Sequence, residues 1–306
     1  MEIPDDLKRL YRHWDRHLSS LGTGGGDTIQ RMVPQEPLID DILCFVRERM
    51  GIWQRKTAGE KPPYTEDPIL STYRFCNIFR EFDRQTIEFH ALLAPLRGDL
   101  SLWMLNMFYC RMVARTETVR KVGLLSFDQA RNVELYERLM TSPRPRFGTP
   151  YVFPVSAIQR GETPTRELFI ARHLPLVMKG IADEIETWDK ISVLDGVERV
   201  IPLFGYNLRF LWTEVLIDVA YQFPQHIDLF GLFPVGPGSL PTMRRIDTSK
   251  DPAVLVRDLS RLEIDVGLTC GGIPVRLSAE NWEGIGCEYR KYSNLKAGKG
   301  RRRLFV

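Results

Sequence analysis

Apolar positions recur at spacings of three and four along most of the chain, the period of helices with one buried face. Leu7, Leu10, Tyr11, Trp14 and Leu18 mark a first helix, and Leu43, Phe45, Val46, Met50 and Trp53 mark a second, predicted over about 38–54. Between them SLGTGGGD supplies four glycines from Gly22 to Gly26, a predicted hinge. A Pro-rich connector, KTAGEKPPYTEDP, follows at 56–68 and places a domain boundary near residue 60. Beyond it TYRFCNIFREFDRQTIEF reads as one amphipathic helical block. LSLWMLNMFYCRMVART and LFGYNLRFLWTEVLIDVAYQF are apolar on most faces and read as buried helices. FDQARNVELYERLM and ELFIARHLPLVMKGIADEIETW read as helices with one wet face, and DPAVLVRDLSRLEID opens on Asp-Pro, a helix start. PYVFPV is β-like, but no sheet pattern recurs and no repeat of 20–50 residues is present. The pattern predicts a mainly α-helical protein, with residues 1–60 as an N-terminal helical extension and 61–306 as the main helical domain.

Composition adds limits. The 306 residues are 43% hydrophobic, enough for a large core, with no apolar run of membrane-spanning length. The first twenty residues carry charge throughout, so secretion is not expected. Cys44, Cys76, Cys110, Cys270 and Cys287 stand singly, without CxxC or CxxH. A reducing, cytoplasmic setting is therefore expected, with no disulfide framework, no metal and no cofactor. Cys44, Cys76 and Cys110 lie among apolar residues and read as core. His13 and His17 share a helix face at i and i+4, but no third metal ligand lies nearby. GxxxxGK[ST], GxGxxG after a strand, HExxH and the zinc-deaminase signature are all absent.

Four stretches carry candidate chemistry. In DPILSTYRFCNIFREFDRQT a helix would put Asn77, Arg80 and Arg84 on one face, with Arg80 and Asp83 paired along it. That face suits a phosphate or a displaced base, though a salt-bridged surface helix has the same pattern. In GYNLRFLWTEVLIDVAYQF, Glu214, Asp218 and Tyr221 share a face among apolar neighbours that include Phe210 and Trp212. Two carboxylates there are costly unless paired or used. Held close, they would be driven to different pKa values, as acid/base work on a glycosidic bond requires. In LFPVGPGSL, Gly236 and Gly238 form a turn whose amides could meet a phosphate. From Cys287 to the end the only acid is Glu288, against Arg290, Lys291, Lys296, Lys299, Arg301, Arg302 and Arg303. Two tyrosines interleave these cations, a composition suited to nucleic acid.

The DPIL…YRFCNIFRE.DR.T block resembles the α-glutamyl/putrescinyl thymine pyrophosphorylase family. The helical domain of that family also accompanies hydroxymethyluracil DNA kinases and is related to helical DNA glycosylases. The resemblance continues through Tyr109–Arg115, Gly205–Tyr221 and Cys287–Arg303, and covers about residues 60–306. It implies a helical, DNA-glycosylase-like domain that receives a flipped, modified pyrimidine from DNA. By motif it implies roles for Asn77, Arg80, Asp83, Asp218, Glu288 and Lys291. Where the family has Gln this chain has Glu214, and where it has Asn this chain has Ala114. The extra carboxylate favours a DNA N-glycosylase that excises a bulky pyrimidine such as glucosylated 5-hydroxymethylcytosine from phage DNA, in anti-phage defence. Catalytic roles then fall to Asp218, Glu214 and Glu288, and base contacts to Asn77, Arg80, Asp83 and Tyr221. DNA contacts fall to Gly236, Gly238, Arg290, Lys291, Lys299 and Arg301–Arg303. The alternatives are an amino-acid or amine transferase acting on pyrophosphorylated hydroxymethyluracil in DNA, and a non-catalytic binder of modified DNA. In each case the partner is DNA containing modified pyrimidines, not a membrane.

Overall fold

The structure, a computed structural model, describes residues 5–21, 36–148, 155–158 and 163–300. In chain order the principal helices are α1 Asp5–Ser20, α2 Glu36–Thr57, α3 Pro68–Thr72, α4 Arg84–Leu92, α5 Leu100–Val113, α6 Thr116–Val122, α7 Gln129–Thr141, α8 Leu174–Glu186, α9 Val193–Phe204, α10 Arg209–Gln222, α11 Leu240–Ile246, α12 Pro252–Ser260 and α13 Ala279–Lys296. Among the described residues, paired strands form two short two-stranded sheets. β1 Ile191–Ser192 runs parallel to β2 Ile227–Asp228, and β3 Thr269–Cys270 runs antiparallel to β4 Ile273–Pro274. The protein is mainly α, as the periodicity predicts. The Gly22–Gly26 hinge, most of PYVFPV and Arg301–Arg303 lie outside the described residues.

Two compact units divide the chain, Met1–Phe82 with Leu229–Val306, and Asp83–Asp228. The expected boundary near residue 60 falls inside the first unit. That unit packs α13 against α11, α12 and α2. Trp282, Phe79 and Phe230 are fully buried in it, and Trp14 meets Phe230 edge-on at 5.7 Å. The second unit is built around α5, which α8 and α10 flank. From Trp103 to Val113 α5 is buried on every side, which is why its sequence lacks a polar stripe. Trp212 of α10 and Phe204 of α9 close on Phe108 of α5, at 4.8 and 5.1 Å between ring centres.

Helix ends follow local chemistry. Asp67 and Asp251 each accept two backbone N–H groups ahead of a Pro at the first helical position. Ser278 and Asn281 form a reciprocal capping box at the start of α13. Gly205 ends α9 in the left-handed conformation (φ 76°), which splits the expected helix 203–223 before α10 begins. The predicted helix 167–188 forms with one wide turn. Leu174 N–H reaches back to Phe169 O, five residues away, just before Pro175. The wide turn makes room for a ring that cannot donate and would crowd the carbonyl four residues earlier.

Asp99 caps α5 by accepting from Leu102 N–H, and also accepts from the Ser101 hydroxyl. These two bonds, the first the larger, hold its carboxyl below the usual range. A lowered folded-state pKa means the stabilisation is present above the unfolded-state pKa and is lost as pH falls through the folded one. Asp99→Ala should therefore lower stability by about 1 kcal/mol at neutral pH. The gap between variant and parent should close toward low pH, as urea unfolding at the two pH values will test.

One block departs from its prediction. Residues 73–79 are not helical. After α3 the chain runs extended, makes a single 3-10 turn at Arg80–Phe82, and starts α4 only at Arg84. Asn77, Arg80 and Arg84 therefore do not line one helix face. The physical reason lies in the first unit, where side chains from remote helices take over the backbone groups that a helix would have paired. Arg49 of α2, 5% exposed, donates to Phe75 O and Cys76 O at 3.3 and 3.0 Å. Glu288 of α13 accepts from Cys76 N–H at 2.9 Å, and Lys291 donates to Arg74 O. Of the three cysteines expected in the core only Cys110 is buried; Cys44 and Cys76 are exposed.

Candidate functional site: a buried Arg–Asp pair beside a histidine

In the second unit α5 contributes one charge, Arg111, and α10 contributes Asp218. Both are buried, at 2% and 0% exposure. Alone, either would be untenable in so apolar a setting. Together they form a two-pronged pair, with Arg111 Nε to Asp218 Oδ2 and Arg111 Nη2 to Oδ1, both 2.6 Å. Arg111 Nη2 also donates to Thr86 Oγ1 at 3.1 Å, and the guanidinium lies over the Phe89 ring at 5.6 Å. Thr86 and Phe89 stand on α4, and one turn beyond Thr86 the same helix presents His90. Its Nε2 lies 3.1 Å from Asp218 Oδ1, and 16% of its side chain remains exposed. Trp103 and Tyr221 flank the imidazole, with ring centres at 5.6 and 6.0 Å.

The sequence reading placed Asp218 as a catalytic carboxylate; in the structure both of its oxygens accept from Arg111. Glu214, one turn earlier on α10, is half-buried, and Tyr221 is 9% exposed. Phe210, counted among the apolar surroundings, stands 59% exposed near the start of α10. The predicted constellation is shared between units. Asp83, Glu214, Asp218 and Tyr221 belong to the second, whereas Asn77, Arg80 and Glu288 belong to the first.

In the first unit Glu288 and Lys291 act on the extended segment 73–77. They lie 3.5 Å apart, and Lys291 Nζ sits 4.3 Å over the Phe75 ring. Asn77 donates from Nδ2 to Phe82 O at 3.4 Å. Arg290 donates to Pro237 O and Gly238 O at 2.8 and 3.3 Å, and Lys299 is exposed. In the Gly236–Gly238 turn, expected to offer amides to a phosphate, Gly236 N–H donates to Glu283 Oε1 at 3.1 Å. Gly238 is needed for space: a Cβ there would stand 2.6 Å from Cys287 Sγ. Burial first, then Glu288 and Glu283, push that thiol up to about 11, so it is not a nucleophile near neutral pH.

A groove of about 1030 Å³ also opens in the first unit, between α2, the 63–67 segment and α13. Phe45, Tyr289 and Tyr292 form one wall. Two of its four carboxylates are engaged at home, Asp67 by Tyr292 Oη at 2.7 Å and Glu48 by Thr65 Oγ1 and Arg55. Among the described residues no three His, Cys, Asp or Glu side chains gather as a metal site would require. No single helix among them is long and apolar enough to cross a membrane.

The sequence reading missed His90, Thr86 and Arg49. One signal was available: a lone Arg in LWMLNMFYCRMV and a lone Asp in VLIDVA are opposite charges in two buried helices, which require each other. His90 sits in a half-exposed helix and gave no such signal.

A sequence profile described as "5-hmdU DNA kinase, helical domain" matches residues 36–301. A relative named "5-hmdU DNA kinase", from Bacillus phage SP10, is 33% identical over 127 residues, which cover 39% of this chain and 20% of the relative. The match thus spans about a fifth of that protein's length. No solved structure matches.

Proposed function

The chain belongs to the family of the 5-hmdU DNA kinase helical domain, and from that premise we propose that it acts on 5-hydroxymethylpyrimidines in DNA by transferring a group onto the base. The family match over residues 36–301 carries this reading. The matched part is the helical domain, and the sequence has no GxxxxGK[ST] loop, so P-loop phosphoryl transfer is not assigned to these residues. Transfer instead replaces an activated leaving group, such as pyrophosphate on the base methylene, with an amino acid or amine. The target base must leave the stack to be reached.

Excision of the base is the second reading. Glu214 favours it, as a half-buried second carboxylate one turn from Asp218. The two readings part in a nucleoside digest. Transfer gives a heavier nucleoside from hydroxymethyluracil DNA supplied with pyrophosphoryl activation and amines. Excision gives abasic sites in DNA with sugar-modified hydroxymethylcytosine. DNA unchanged in both would reject enzymatic action on the base.

DNA binding should be salt-sensitive. With about two to four phosphate contacts, affinity for a modified duplex should fall roughly ten- to a hundredfold between 50 and 200 mM salt. Fluorescence anisotropy would measure it, and a flat profile would argue against a backbone clamp.

A further inference from the structure

We propose that His90 is the proton acceptor of this site and that Asp218 is the positioning residue that fixes its tautomer; the proposal rests on the base-modification reading above. A carboxylate paired with a guanidinium can only accept, so the Asp218–His90 contact requires the proton on Nε2. The lone pair is then on Nδ1, which makes no hydrogen bond within the described residues. The imidazole has one edge fixed in the buried pair and part of its surface open to solvent, as proton transfer to a bound molecule requires. Trp103 and Tyr221 restrict the ring to that orientation.

The ion pair also explains why the arrangement holds. Arg111 takes both oxygens of Asp218 and is itself held by Thr86, four residues before His90 on α4. Three helices thus meet in a single bonded chain, α4 to α5 to α10 and back to α4. The charged and titratable groups on the His90 side are Asp218, Arg111 beyond it, and Tyr221. Glu88 pairs with Arg84 at 2.8 Å, and Glu117 and Arg120 of α6 act on those two.

In group transfer a neutral amine nitrogen forms a bond to the base methylene carbon. The carbon–oxygen bond breaks, and its electron pair leaves with pyrophosphate. The nitrogen then carries one proton too many, and His90 Nδ1 takes it. If the nucleophile is water, oxygen bonds to C1′, the pyrimidine leaves with the pair of the broken C–N bond, and the water proton goes to Nδ1.

The test combines kinetics with a measurement that needs no substrate. His90→Gln should lower kcat about 10²–10³-fold with KM changed only a few-fold. Nitrogen-15 NMR of the intact parent at pH 8 should show the Nε2–H tautomer at His90. Activity within about threefold of the parent would overturn the proposal, as would an Nδ1–H tautomer. If the parent itself leaves all the modified DNAs unchanged, the base-modification reading fails, and the tautomer alone decides whether Asp218 positions His90. If His90→Gln does not fold, the tautomer again decides.

Discussion

Asp218→Ala should unfold about 3–5 kcal/mol more easily than the parent, because it leaves the Arg111 guanidinium buried without its counter-charge. Both partners are sealed off, so neither water nor salt can replace the lost bonds. Arg111→Ala should cost a similar amount for the mirror reason. The double variant Arg111→Met, Asp218→Leu should recover most of the loss, since a well-packed apolar pair is commonly as stable as a buried ion pair. It should nevertheless lose activity, because nothing then fixes the His90 tautomer. Urea unfolding with a parallel activity assay separates the two effects. A double variant as unstable as the singles would mean the pair is chiefly a packing element. A fully active one would mean it has no part in function.

The second large effect lies in the first unit, in the two glycines of NWEGIGCEY. A Cβ at Gly286 would come within 2.1 Å of Ser239 Oγ and 2.5 Å of Met243 Cε. Both neighbours are fully buried, and Thr242 Oγ1 donates to Gly286 O at 2.7 Å in the same crossing. Gly286→Ala should therefore destabilise by about 1–3 kcal/mol through overpacking, despite better helix propensity. A Cβ at Gly284 meets nothing within 4 Å. Gly284→Ala should instead stabilise by roughly 0.5–1 kcal/mol, by removing a flexible residue from the middle of α13. Thermal melting of the two variants gives opposite shifts if the close approach of α11 to α13 is as described. Shifts of the same sign would contradict it.

Helices whose stability is local or one-sided were legible. The Asp-Pro start of α12 and the buried runs of α5 and α10 follow from residues near one another in sequence. The segment 73–79 was not. Phe75, Ile78, Phe79 and Phe82 have helical spacing, yet the backbone is extended, because Arg49, Glu288 and Lys291 compete for its polar groups from far along the chain. Such competition has no local signature. The chemistry of the candidate site was half legible. The cost of burying Asp218 in an apolar helix was legible, but its pairing with Arg111, 107 positions away in sequence, was not. The glycine turn was ambiguous because Gly236 and Gly238 look the same whether their amides meet a phosphate or, as here, Gly236 N–H meets Glu283 and Gly238 makes room for Cys287.

If this helical chain changes a modified pyrimidine in DNA, the product is a new nucleoside or an abasic site. Nucleoside mass spectrometry of hydroxymethyluracil DNA, activated at the base methylene and incubated with the protein and an amine mixture, tests it most directly. A new, heavier nucleoside should appear, and form far more slowly with His90→Gln. Recovery of only the starting nucleosides, with no abasic sites in this or in sugar-modified cytosine DNA, would contradict it.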